Sequence, residues 1–128
     1  TGEGPLVLSL NRQYITFDDE GYIHYNGGET PVTHPRQDEI IKTARKAATV
    51  LGCQGYTGVD LVVTDDRIVV VDVNPRPTDS IVGISAVMEE EIGDIILRAS
   101  YGRSPDRVTL RGRAVFGKDG VVTVHDRD

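Results

Sequence analysis

The stretch GYTGVDLVVTDDRIVVVDVNPRP, residues 55–77, decides how the rest of the chain is read. Two apolar runs, 59–64 and 68–73, flank the turn-forming Asp65-Asp66-Arg67, which predicts an antiparallel hairpin. Polar groups interrupt it: Asp60 inside the first run, then Asp72 and Asn74 closing the second, ahead of Pro75-Arg76-Pro77. Side chains alternate across a strand, so Asp60 lies on the face away from Val59 and Leu61. Asp72 shares its face with Val70 and Asn74 by the same rule. If the strands pair across the turn, opposite residue numbers sum to about 132 and Asp60 faces Asp72.

Two carboxylates directly opposite one another repel and cost stability. A bound divalent cation removes that cost. One aspartate alone would suit a plain solvent-facing strand; the facing pair, the in-phase Asn74 and the rigid Pro-Arg-Pro exit favour a metal. Magnesium fits better than zinc or calcium, because the carboxylates are few and no His or Cys is in phase. The remaining positions of its octahedron suit phosphate oxygens. Arg76 is held between two prolines that restrict its backbone. Spacing leaves it open between a surface arginine in a stiff loop and a phosphate ligand.

The 128 residues suffice for one domain with a real core, and with no Trp and two Phe that core must be mostly Val, Ile and Leu. A net charge of −6, with acids spread along the chain, argues against a nucleic-acid partner. Cys53, the one cysteine, can form neither an internal disulfide nor a zinc-ligand set. No segment approaches the roughly 18 apolar residues of a membrane span, so no membrane partner and a cytoplasmic location are expected. The start at Thr1-Gly2-Glu3-Gly4, without Met, reads as a piece of a longer protein.

Working outward, 6–10, 14–17 and 22–25 read as two or three short antiparallel strands, and 26–35, with two glycines and two prolines, as loop. Residues 37–51 are predicted helical from Ile40, Ile41, Ala44, Ala47, Ala48 and Leu51, with Gly52 as the stop. Arg36, Lys42, Arg45 and Lys46 then fall on its solvent side. A second helix is predicted over 85–100, and a closing hairpin from 108–116 and 121–124. Glu89-Glu90-Glu91 reads as a solvated acidic run at a helix start. The fold class is α+β: a mostly antiparallel sheet with two main helices packed on it. His24, His34 and His125 read as surface histidines, with His34 kept as a substrate contact.

Gly58-Val59-Asp60-Leu61, followed by Asp72-Val73-Asn74-Pro75-Arg76-Pro77, resembles the C-terminal core of the ATP-grasp superfamily. Supporting matches are Leu8-Ser9-Leu10-Asn11-Arg12-Gln13, Tyr25-Asn26-Gly27-Gly28 with Pro31, Leu51-Gly52, and Gly55-Tyr56. Together they resemble the branch containing archaeal tyramine–glutamate ligases and carbamoyl-phosphate-synthase-like proteins, over residues 5–100. The resemblance implies ATP as the nucleotide, with magnesium (manganese as the alternate ion) held on its phosphates by Asp60, Asp72 and Asn74. It implies Arg76 near the transferring phosphoryl, with Arg12 and Gln13 as further site candidates. The implied enzyme is a carboxylate–amine or carboxylate–thiol ligase, which activates a small-molecule carboxylate as an acyl phosphate before transferring the acyl group.

Two departures stand out. The family usually has Glu where this chain has Asp72, and its adenine hinge and phosphate-gripping lysines lie upstream of the matching segment. Residues 1–128 are therefore expected to be the C-terminal portion of an ATP-grasp domain, with the full-length protein needed for activity. A non-catalytic nucleotide-binding module, and an interaction domain that keeps only the fold, stay open beside the ligase. The sequence leaves the two substrates and the oligomeric state open.

Overall fold

The computed structural model describes residues 5–125, which fall into two compact units. The first comprises 5–8, 34–78 and 90–108; the second comprises 9–33, 79–89 and 109–125. The class is α+β as expected, with the strands divided between a four-stranded and a two-stranded antiparallel sheet.

The first unit is built on the two-stranded sheet, β3 (Gly58–Val63) and β4 (Ile68–Asn74), with helix α1 (Gln37–Val50) packed on it. Ile40 and Ala48 of α1 are buried, in keeping with its three- and four-residue apolar spacing. Asp38 and Glu39 occupy its first turn, where the helix dipole favours negative charge. The predicted stop at Gly52 has a physical form. Gly52 takes a φ of +67°, its N–H bonds to Thr49 O, and the Cys53 N–H bonds to Ala48 O. This pair of bonds is the Schellman motif, and glycine adopts the required left-handed conformation without strain.

The tip of the β3–β4 hairpin is closed by Thr64, whose N–H and hydroxyl both bond to Arg67 O. Arg36, expected on the solvent side, is half-buried instead. It donates through Nη1 to Thr64 O and through Nε to Glu39, tying the start of α1 to the hairpin tip.

The second unit is a four-stranded sheet in the order β1 (Arg12–Phe17), β2 (Ile23–Thr30), β5 (Arg113–Phe116), β6 (Val122–His125), packed against α2 (Ile81–Val87). Its register sorts the two faces. Ile15, Phe17, Ile23, Tyr25, Thr30, Ala114, Phe116, Val122 and Val124 share one face. Arg12, Tyr14, Thr16, His24, Glu29, Arg113, Thr123 and His125 share the other. Helix α2 lies on the apolar face, where Gly83 leaves room for the Phe116 ring and the Thr30 methyl. Thr30, fully buried, bonds through its hydroxyl to Asn11 and Ser9.

Three expectations are corrected. Residues 6–10 form no strand; Leu10 contributes one backbone bond, accepting from Val32 N–H. The 26–35 loop is in fact strand as far as Thr30, and its glycines serve the sheet. Gly27 sits at φ +107° in a register shift against β1, and a Cβ on Gly28 would lie 2.5 Å from Arg12 O. The 85–100 helix is two helices, α2 and α3 (Ile92–Ser100). The break arises because Met88 turns extended and bridges to Leu110, with Glu89 N–H bonded to Thr109 O and Arg111 N–H to Val87 O. Glu91 then caps α3 by accepting from Gly93 N–H at 3.3 Å.

Candidate metal and nucleotide site

Cross-strand pairing places Asp60 directly opposite Asp72, Val59 opposite Val73, and Gly58 opposite Asn74. Directly opposed residues project to the same face, with Cβ atoms about 4.5–5.5 Å apart. A register shift follows between Asp60 and Leu61, and it falls on the tip side of the pair. Asp60, Asp72 and Asn74 are therefore brought onto one face, as expected from the alternation.

Asp72 is exposed and its Oδ1 accepts from the Val73 N–H at 3.0 Å, which fixes one carboxylate oxygen near the backbone. Asp60 and Asn74 are half-buried. Beyond Asn74 the chain doubles back at once. The Arg76 N–H bonds to Asn74 O at 2.8 Å, a γ-turn centred on Pro75, whose ring already restricts φ to the range that turn uses. Arg76 Nη1 donates to Pro77 O at 3.1 Å. A Cβ on Gly58 would lie 2.7 Å from the Thr78 methyl, so Gly58 is what lets this returning segment cross the aspartate face.

Among the described residues, no group of three His, Cys, Asp or Glu side chains comes together as a metal cage. Two facing carboxylates with a carboxamide oxygen suit magnesium, which keeps water and takes phosphate oxygens on its other positions. The donor set fits that ion.

Arg12 and Gln13, two further candidates, belong to the second unit, where Arg12 lies opposite Glu29 on the polar sheet face and Gln13 lies opposite Gly28. Glu29 is a charged centre that sequence reasoning missed. The Tyr14 hydroxyl donates to its Oε2, and Arg113 Nη1 approaches Oε1 at 3.2 Å. The Tyr14 bond, then Arg113, holds the Glu29 carboxyl below its ordinary value of 4.5, against the opposing effect of burial. The same bond raises the Tyr14 phenol above 10.0.

The signs give a testable pH window. Glu29, depressed in the folded state, contributes stability above about pH 4.5 that is lost as pH falls through its lower folded value. Tyr14, raised, contributes below about pH 10 and loses that contribution as pH climbs through its folded value. Tyr14→Phe is expected to cost about 1.5–3 kcal/mol near neutrality, the range for a hydrogen bond to a charged group. In urea titrations across pH, the gap to the parent should narrow as pH falls below 4.5 and as it rises above 10.0.

With this geometry in place, sequence comparison assigns the class. The ATP-grasp domain model matches residues 1–80, well over half the chain, and the chain belongs to the ATP-grasp family. It is 44% identical over 78 residues to the tyramine–L-glutamate ligase of Methanocaldococcus jannaschii, covering 60% of this chain and 24% of that protein. Against the tyramine–L-glutamate ligase of Methanocaldococcus fervens, identity is 39% over 92 residues, 71% of this chain and 29% of that one. It is also 37% identical over 68 residues to the arginine-specific carbamoyl phosphate synthase large chain of Lactiplantibacillus plantarum, 53% of this chain and 7% of that protein. The chain thus spans about a quarter of the ligases it matches. No helix among the described residues is long and apolar enough to cross a membrane.

Proposed function

We propose that the chain is the C-terminal portion of an ATP-grasp domain in a cytoplasmic, ATP-dependent carboxylate–amine ligase. The observation that carries this is Asp60 standing opposite Asp72, with Asn74 in phase, in a member of this family. A carboxylate oxygen attacks the γ-phosphorus of ATP, ADP departs, and an acyl phosphate forms. The amine nitrogen then attacks the acyl carbon, gives up a proton and releases phosphate. Magnesium, or manganese in its place, would neutralise charge on the phosphates as the phosphoryl group moves. Asp60, Asp72 and Asn74 would hold that ion, whose charge would offset the repulsion between the two facing carboxylates. Arg76, confined by its γ-turn, would offer a guanidinium to the phosphoryl oxygens without a large loss of freedom.

Two relatives bear the name tyramine–L-glutamate ligase, so L-glutamate and tyramine are the first substrates to test. With magnesium-ATP, the full-length protein is expected to release ADP only when a carboxylate and an amine are both present. Magnesium-ATP binding with no substrate-dependent ADP release would favour the non-catalytic module, which Asp72 in place of the usual Glu also suits. Absence of magnesium-dependent ATP binding would leave an interaction domain.

A further inference from the structure

Among the described residues, β1 is one edge of the four-stranded sheet, with no strand on its outer side. The open N–H and C=O groups of an edge invite another chain, and proteins commonly blunt them with Lys, Pro or a bulge. β1 has none of these. From Gln13 to Phe17 it carries no charge, and Tyr14, Ile15, Thr16 and Phe17 are all strong strand formers. The extra residue of the nearby irregularity lies in β2, between Tyr25 and Gly28, so β1 keeps its alternation. On the apolar face α2 packs on β5, β6 and β2, while Ile15, Phe17 and Ile23 remain 48%, 65% and 64% exposed.

We infer that β1 pairs antiparallel with β1 of a second copy of the protein, joining the two sheets edge to edge. The chain's own charges choose this occupant and its register. Directly opposed residues share a face, so Ile15 and Phe17 must meet residues of the apolar face. A two-fold axis through Ile15 sets it against the partner's Ile15, with the partner's Phe17 diagonal to it. Tyr14 then faces the partner's Thr16, and Arg12 faces the partner's Asp18, so opposite charges meet at both ends. Asp18, just past the strand, is already held in place: Oδ1 accepts from the Glu20 and Tyr22 N–H groups, and Oδ2 lies 2.9 Å from His24 Nε2. A carboxylate so held can still accept from a guanidinium. An axis through Tyr14 would set Arg12 against Thr16 and lose both ion pairs. An axis through Thr16 would need Glu20, which lies in the turn that Asp18 closes with Gly21 and Tyr22. The contact is isologous and ends at two copies. It is independent of the ligase reading.

Sedimentation velocity of the full-length protein over a range of concentrations tests it. The parent is expected to dimerise. Ile15→Lys and Phe17→Lys each put a charge into the paired edge and are expected to raise the dissociation constant at least about tenfold. Both side chains are exposed in the single chain, so the circular dichroism spectrum of each variant should match the parent's. Arg12→Gln removes both ion pairs and is expected to weaken the dimer about threefold at about 0.1 M salt, with the gap to the parent shrinking at about 1 M. A parent that stays monomeric overturns the proposal; if Phe17→Lys then lowers the thermal midpoint, the rest of the polypeptide covers this face instead. A dimer that neither lysine variant weakens overturns it too, because its contact then lies elsewhere.

Discussion

Asp60→Asn and Asp72→Asn in the full-length protein are each expected to weaken magnesium-ATP by roughly a hundredfold, about 2.7 kcal/mol. Loss of an outer-sphere partner alone commonly weakens a metal site ten- to a hundredfold, so a direct carboxylate ligand should reach at least the upper end. Without metal, the same variants should be as stable as the parent or slightly more so, because each removes one of two like charges paired across β3 and β4. That combination distinguishes a ligand from a fold-supporting residue: binding falls while stability holds or rises. Asp72→Glu restores the residue usual in the family and is expected to retain magnesium-ATP binding. Calorimetry with magnesium-ATP and urea titrations in chelator test the two halves separately.

The second large effect concerns the sheet of the other unit. Gly27→Ala is expected to cost about 2–5 kcal/mol, the sum of left-handed strain and overpacking. Gly27 has a φ of +107°, and a Cβ there would lie 2.0 Å from Phe116 O and 2.8 Å from Gly117 Cα. Both obstacles are backbone, so neither can rotate away. Gly21→Ala is the control. Gly21 has a similar φ of +87° but nothing within 4 Å, so strain of about 1–2 kcal/mol is all that remains. Equal urea midpoints for the two variants would mean that β2 and β5 do not approach as closely as described.

Why some of this was legible in the sequence and some was not has a physical basis. The Asp60–Asp72 pairing could be read because strand alternation has a period of two and a short turn fixes the register. The register shift lies between Asp60 and Leu61, on the tip side, and leaves the pair intact. Helix α1 could be read for a similar reason: apolar spacing and Gly52 both act within a few residues. Gly27 and Gly28 misled because glycine's freedom is commonest in loops, whereas here it admits neighbouring strands and the Phe116 ring. The 81–100 segment keeps its apolar pattern through the break, and what ends α2 is pairing of Met88 with Leu110, 22 positions on. Glu29 was invisible for the same reason, since Arg113 is 84 positions away. Arg36 looked like one more basic residue beside a helix; its bond to Thr64 spans 28 positions.

The facing aspartates are proposed to hold a divalent ion together with ATP. Electron paramagnetic resonance of Mn2+ in the full-length protein with ATP addresses it directly. The parent and Asp72→Glu are expected to give a protein-bound manganese spectrum, and Asp60→Asn and Asp72→Asn the spectrum of manganese-ATP free in solution. An identical protein-bound spectrum in all four would contradict it.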